Sequence, residues 1–147
     1  MSKHYANASW NKTLVQGNGN FRLKTSGYEG SLKFSSRFED NKDASSPEEL
    51  IGAAHASCFS MALAHALDKA GFKPVKIETE AVVTLAKTGD SFSITEILLK
   101  TKGNVPAIHK YKFEEIAKDA KENCPVSKAL NSINIVLEAE LIVAKDT

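Results

Sequence analysis

The stretch from Ser46 to Gly71, SPEELIGAAHASCFSMALAHALDKAG, constrains this chain more than any other part of it. Ser46 is a good N-cap, Pro47 suits the first helical position, and Glu48 and Glu49 favour the first turn. Gly71 ends the helix, with Pro74 just beyond. From Leu50 to Leu67 the residues are apolar or small nearly all the way round, so burial on most sides is expected. Gly52, Ala53, Ala54, Ala56 and Ser57 allow another backbone to come close. A chain of 147 residues, 42% apolar and 25% charged, makes one domain, 1–147, with a modest core. It has few elements with which to surround such a helix, and a homodimer packing two copies together would cover it.

The run is borderline in length for a membrane span. It holds His55, Ser57, Ser60 and His65 and sits in charged sequence, so it reads as a buried helix and no membrane partner is expected. The beginning, MSKHYANASW, lacks the apolar core of a secretory signal, and a cytoplasmic location follows. A net charge of +1 with interspersed signs gives no stripe for nucleic acid.

The first forty residues read as three β-segments. Ala8, Trp10 and Leu14 share one face, Phe21 and Leu23 lie on the next, and Leu32, Phe34 and Phe38 on a third. Gly17-Asn18-Gly19 marks a hairpin turn between the first two. After the long helix, Val75, Ile77, Ala81, Val83 and Leu85 alternate as a strand up to the Thr88-Gly89-Asp90 turn. The segment from Phe92 to Lys102 changes phase near Glu96, the mark of a bulge. Phe113, Ile116, Ala117 and Ala120 repeat at helical spacing until Pro125 interrupts, with a short helix possible through Leu130. Ile133, Ile135, Leu137, Ala139, Leu141 and Val143 line one face of a final strand. The order is βββ-α-ββ-α-β, an α+β fold with largely antiparallel sheet.

Two cysteines carry the chemical interest. Cys58 lies mid-helix, without help from a helix dipole, and would need a nearby cation to be a thiolate. Cys124 precedes Pro125, at the expected N-cap of the short helix, where backbone N–H groups favour an anion. On local grounds Cys124 is the more acidic thiol. Zinc is disfavoured by the absence of a Cys-x-x-Cys pair and by the spacing of His55 and His65, and no metal or cofactor is expected. His55 and Cys58 stand at i and i+3 on one helix face. They suit either a satisfied core histidine beside an inert thiol or a Cys–His nucleophile.

The runs SSPEELIGAAHASCFSMALAHAL and NCPVSKAL, with SSRFED upstream, resemble the osmotically inducible protein C (OsmC) family, which includes the organic hydroperoxide resistance proteins. The likeness spans the chain from the Trp10 strand to the last strand, and GAAHASCF points to the OsmC branch. The resemblance implies an intertwined homodimer, with antiparallel sheets around a buried central helix from each chain, and a thiol peroxidase. Cys58 would attack an organic hydroperoxide, and Cys124 would resolve the sulfenic acid as a Cys58–Cys124 disulfide. The family's supporting arginine falls on Arg37 and its glutamate on Glu48, with Glu49 the weaker claimant. A thiol reductant, with dihydrolipoyl groups as the family precedent, would reopen the disulfide.

That chemistry suits these residues. A fixed guanidinium lowers a thiol's pKa and holds peroxide oxygens, and a carboxylate orients it through a bidentate contact. The chain has just two arginines, and Arg22 lies in a surface-patterned β-segment. A second thiol intercepts the sulfenic acid before further oxidation. Phe38, Phe59 and Met61, near the candidate residues in sequence, are expected to line an apolar substrate pocket. The competing readings are a Cys–His hydrolase or acyltransferase, and a non-catalytic binder of small apolar molecules.

Overall fold

A computed structural model describes residues 1–142. They form two compact units, Met1–Leu50 and the chain from Ile51 onward.

In the first unit, β1 (Ala6–Asn11), β2 (Asn18–Leu23) and β3 (Tyr28–Leu32) make an antiparallel meander in the order β1-β2-β3. The first hairpin exists, but its connection is residues 12–17, with Lys12 at a φ of 66°. Asn18 and Gly19 already belong to β2, and Gly19 sits opposite Trp10. A Cβ on Gly19 would strike the Ser9 carbonyl oxygen and lie 2.7 Å from the Trp10 ring. That glycine is required by close packing rather than by a turn. Leu14 lies in the connection, off the strand face.

The third expected strand stops at Leu32, and Phe34–Phe38 is a short helix, α1. Phe34 and Phe38 stack with ring centroids 4.9 Å apart. A spacing of four fits both a strand's period of two and a helical turn, which is why the sequence misled. Ser45 returns to β3 by donating its N–H to the Ser31 carbonyl at 2.8 Å. Ser46 then caps α2 (Pro47–Lys69), its Oγ accepting the Glu49 N–H at 3.1 Å. The helix is continuous and ends as expected, at a Gly71 with a φ of 91°.

The second unit contains most of α2, then β4 (Lys76–Thr88), β5 (Ser91–Asn104), α3 (Lys110–Asn123), α4 (Pro125–Ala129) and β6 (Asn134–Ile142). The sheet runs β4-β5-β6. β4 and β5 are antiparallel, with an irregularity where Thr84 faces Glu96 but Leu85 faces Ile94, so Thr95 is the extra residue of the expected bulge. β6, however, pairs with β5 in parallel, because α3 and α4 return the chain to the end at which β5 began. Val143, expected on the β6 face, lies outside the described residues.

Phe59, Leu63 and Leu67 of α2, Ile97 and Leu99 of β5, and Phe113, Ile116, Ala117 and Ala120 of α3 make the core. Gly52 lets α2 approach β4, since a Cβ there would lie 3.2 Å from Val83 Cγ2. Burial on most sides of α2 does not hold within one chain. Gly52, His55, Phe59, Leu63 and Leu67 are buried, whereas Ala53, Ala54, Ser57 and Met61 are exposed. By length and composition alone the helix would pass for a membrane span. Its packing on β4 includes a polar contact, Ser60 Oγ donating to Thr79 Oγ1 at 2.8 Å.

Candidate active site

Pro125 builds the first half of the site. It offers no N–H to α3, and its ring pushes the preceding residue into an extended conformation. Cys124 adopts φ −61° and ψ 124°, closing α3 and opening α4. Its N–H donates to the Ala120 carbonyl at 2.9 Å, and its carbonyl accepts the Lys128 N–H at 3.0 Å. The side chain of Cys124 is fully buried, and that of Cys58 on α2 is half-buried. Both are free thiols, close enough for each to shift the other's ionisation.

Their acidities diverge. Burial pushes the Cys58 thiol pKa up, and its contact with Cys124 pushes it further, against a weaker pull from the Val126 N–H. Burial would also raise Cys124, but the Ser127 N–H, the Cys58 thiol, the Ser127 hydroxyl and the Val126 N–H together bring it below the ordinary thiol value. No cap hydrogen bond of ordinary geometry reaches the sulfur. The amides act on it as nearby dipoles. Cys124 is therefore the more acidic thiol of the pair, the order that local position predicts.

His55 does not activate Cys58. It is fully buried, and its Nε2 lies 2.8 Å from Ser127 Oγ. Burial lowers its pKa, so the ring is neutral at pH 7. Ser127 was missed as a site residue. The signal was present in NCPVSKAL, where Ser127 is the third residue of a helix capped by Cys124.

The first unit holds the second half of the expected constellation. Arg37, in the last turn of α1, directs both Nε (2.9 Å) and Nη2 (2.8 Å) at Glu48 Oε1. Both nitrogens use one oxygen, so the contact differs from the expected two-oxygen fork, and Oε2 has no partner among the described residues. Glu48 is 7% exposed. Glu49 instead faces Ser45 Oγ at 3.3 Å, which leaves Glu48 as the arginine's partner. The guanidinium also stands 5.2 Å from the Phe38 ring centre.

Of the apolar residues expected to line a pocket, Phe38 is half-buried beside Arg37, Phe59 is a core residue with no exposed surface, and Met61 is 74% exposed. A groove of about 710 Å³ between α2 and α3 is lined by Ala62, Ala66, Ile116 and Pro125 among others, but by neither sulfur. Among the described residues, no three His, Cys, Asp or Glu side chains gather as a metal site would require.

A family profile described as OsmC-like protein matches residues 39–138, a stretch that takes in Glu48 and both thiols. The chain belongs to the OsmC-like family. It is 49% identical over 108 residues to the Escherichia coli protein named peroxiredoxin OsmC, covering 74% of each chain. A Shigella flexneri protein of the same name matches to the same extent. Solved OsmC-like structures share the fold. One from Vibrio cholerae, of unknown function, aligns with a TM-score of 0.75 at 19% identity, over 95% of this chain and 99% of the other. The organic hydroperoxide resistance protein OhrB of Bacillus subtilis aligns with a TM-score of 0.71 at 23% identity, over 94% and 98%.

Proposed function

We propose that this OsmC-like protein is a cysteine-based peroxidase that reduces organic hydroperoxides to alcohols in defence against oxidative stress. The observation that carries the reading is that the two free thiols, Cys58 and Cys124, stand close enough for each to shift the other's ionisation. A close relative named a peroxiredoxin supports it. In the proposed cycle the Cys58 thiolate attacks one peroxide oxygen. An S–O bond forms, the O–O bond breaks, and the alkoxide takes a proton to leave as alcohol. The Cys124 thiolate then attacks the Cys58 sulfur, forming the disulfide and releasing hydroxide, which is protonated to water. A dithiol reductant of the dihydrolipoyl kind returns both thiols. No cofactor enters the cycle.

Arg37, oriented by Glu48, supplies the charge that Cys58 lacks among its own neighbours and binds the peroxide oxygens. Glu48 and Cys58 are ten residues apart on a continuous helix, about 15 Å along the axis. That distance favours a site completed by Arg37 and Glu48 of the partner subunit in a homodimer. The exposed apolar face of α2 supports such a dimer. The cytoplasm, which keeps thiols reduced, suits the chemistry. A Cys–His hydrolase is disfavoured because His55 Nε2 is engaged by Ser127.

The test is thiol counting. Reduced protein mixed with cumene hydroperoxide should lose both thiols of each chain and gain a Cys58–Cys124 disulfide. Cys58→Ser should consume no peroxide, and Cys124→Ser should consume one equivalent and leave a trappable sulfenic acid. The reverse pattern would exchange the two roles, and unchanged thiols would end the peroxidase reading. Hydrogen peroxide in competition should react about tenfold more slowly, since a few buried methylenes at roughly 0.8 kcal/mol each favour the organic substrate.

A further inference from the structure

Two contacts join α2 to α4, one helical turn apart on each. Cys58 meets Cys124, and three residues earlier on α2 His55 meets Ser127, three residues later on the chain of α4. Both members of the second contact are enclosed, His55 fully and Ser127 to 6% exposure. Neither has a part in the peroxide chemistry set out above. A buried His–Ser pair with no water-facing edge is costly to maintain unless its hydrogen bonds are used.

The hydrogen-bond inventory fixes how they are used. His55 Nδ1 has no partner among the described residues. An N–H there would be a buried, unpaired donor, which is much rarer than a bare lone pair, so the proton sits on Nε2. His55 therefore donates and Ser127 Oγ accepts. The Ser127 hydroxyl hydrogen is left free to point elsewhere, and Ser127 is the third residue of the short helix whose N-cap is Cys124. We propose that His55 and Ser127 are a positioning couple for the resolving thiol: His55 Nε2–H orients the Ser127 hydroxyl, and that hydroxyl donates to Cys124, holding it as a thiolate directed at Cys58. The downward pull of the Ser127 hydroxyl on the Cys124 pKa agrees with this direction of donation. Neutral His55, kept so by burial, suits a donor that must not itself become charged.

The resolving step then starts from an anion already aimed at the sulfur it attacks. The Cys124 thiolate forms the S–S bond as hydroxide leaves the Cys58 sulfenic acid, with no prior deprotonation. This role deepens the two-thiol cycle proposed above and rests on it.

Two measurements test the couple. In a Cys58→Ser background Cys124 is the one remaining thiol, and its ionisation is followed by thiolate ultraviolet absorbance against pH. Ser127→Ala and His55→Leu should raise the midpoint, whereas Ser127→Thr and His55→Gln, which keep a hydroxyl and a donor N–H, should restore it. In protein with both thiols, a sulfenic-acid trap competes with disulfide formation after a single addition of hydroperoxide. Ser127→Ala should shift that partition about tenfold toward the trapped adduct, the size expected for one hydrogen bond to a charged group. An unmoved midpoint in Ser127→Ala overturns the proposal, even if the partition changes, because the pair would then be a helix strap only. Should wild-type protein form no disulfide at all, the peroxidase cycle falls while the titration still decides the couple. Ser127→Ala removes a single oxygen, so the decision does not depend on His55→Leu folding.

Discussion

Among the described residues of Met1–Leu50 a single one is buried, and it is a carboxylate, Glu48, whereas the unit from Ile51 onward encloses Phe59, Leu63, Leu67, Ile97, Leu99 and Phe113 completely. The first unit has a three-stranded sheet with Trp10, Leu23 and Tyr28 exposed, while the second has a sheet backed by helices. A three-stranded sheet without a covered face has little to offset the entropy of ordering it. The second unit carries its own hydrophobic stabilisation. The first is built around an ion pair, Arg37 with Glu48, and its apolar side chains await cover. The contrast teaches that the two units differ in content: the second holds both thiols and the hydrophobic core, the first an ion pair and exposed apolar side chains.

The contrast is sharpest in stability. Phe113→Ala should destabilise the protein by about 3–5 kcal/mol, because the ring is fully enclosed and packs over Gly103. Chemical denaturation measures it, and a loss under about 1 kcal/mol would mean the second unit's core is looser than its burial indicates.

Next in size is the charge. Glu48→Ala frees the Arg37 guanidinium and should lower hydroperoxide turnover about a hundredfold, the usual cost of losing one preorganised electrostatic group. Mixing Glu48→Ala chains with Cys58→Ser chains should restore roughly half the sites in each heterodimer if the site is shared between subunits. No recovery in confirmed heterodimers would confine the site to one chain.

A smaller effect comes with pH. The His55 pKa in the folded protein is lowered by burial from the ordinary 6.5. The unfolded chain therefore takes up a proton first as pH falls. The stability associated with neutral His55 is complete above 6.5 and is lost progressively on acidification below it. Urea midpoints measured from neutral pH to about pH 5 should fall, and His55→Gln should flatten that slope. An identical slope in both proteins would assign the acid sensitivity to other groups.

The smallest change is expected at Tyr28, 73% exposed. Tyr28→Ala should alter the stability of dilute protein by no more than about 0.5 kcal/mol if its face is bare. A substantially larger loss that grows with protein concentration would reveal that a partner covers the sheet.

Much of this was legible beforehand because it depends on local chemistry. Ser46, Pro47 and Gly71 delimit α2 through capping and φ preferences that need no tertiary contact. Pro125 dictates the break that places Cys124 between two helices, and with it the acidity order of the thiols. Elsewhere the local signal was degenerate. Phe34 and Phe38 satisfy a strand and a helix equally, so packing chose. Gly19 resembled a turn glycine, yet it serves the Trp10 ring on the neighbouring strand.

The sequence by itself determined the long helix and its ends, the α+β order of elements, the family, and the pair of thiols proposed to carry the chemistry. It did so because caps, prolines and hydrophobic period act within a few residues of one another. Tertiary structure alone decided that β6 runs parallel to β5, that Arg37 takes Glu48 rather than Glu49, and that His55 answers to Ser127 instead of Cys58. Each of those choices is a contact between residues separated along the chain, settled by which groups the packing brings within a hydrogen bond's length and by the cost of leaving a buried polar atom unpaired.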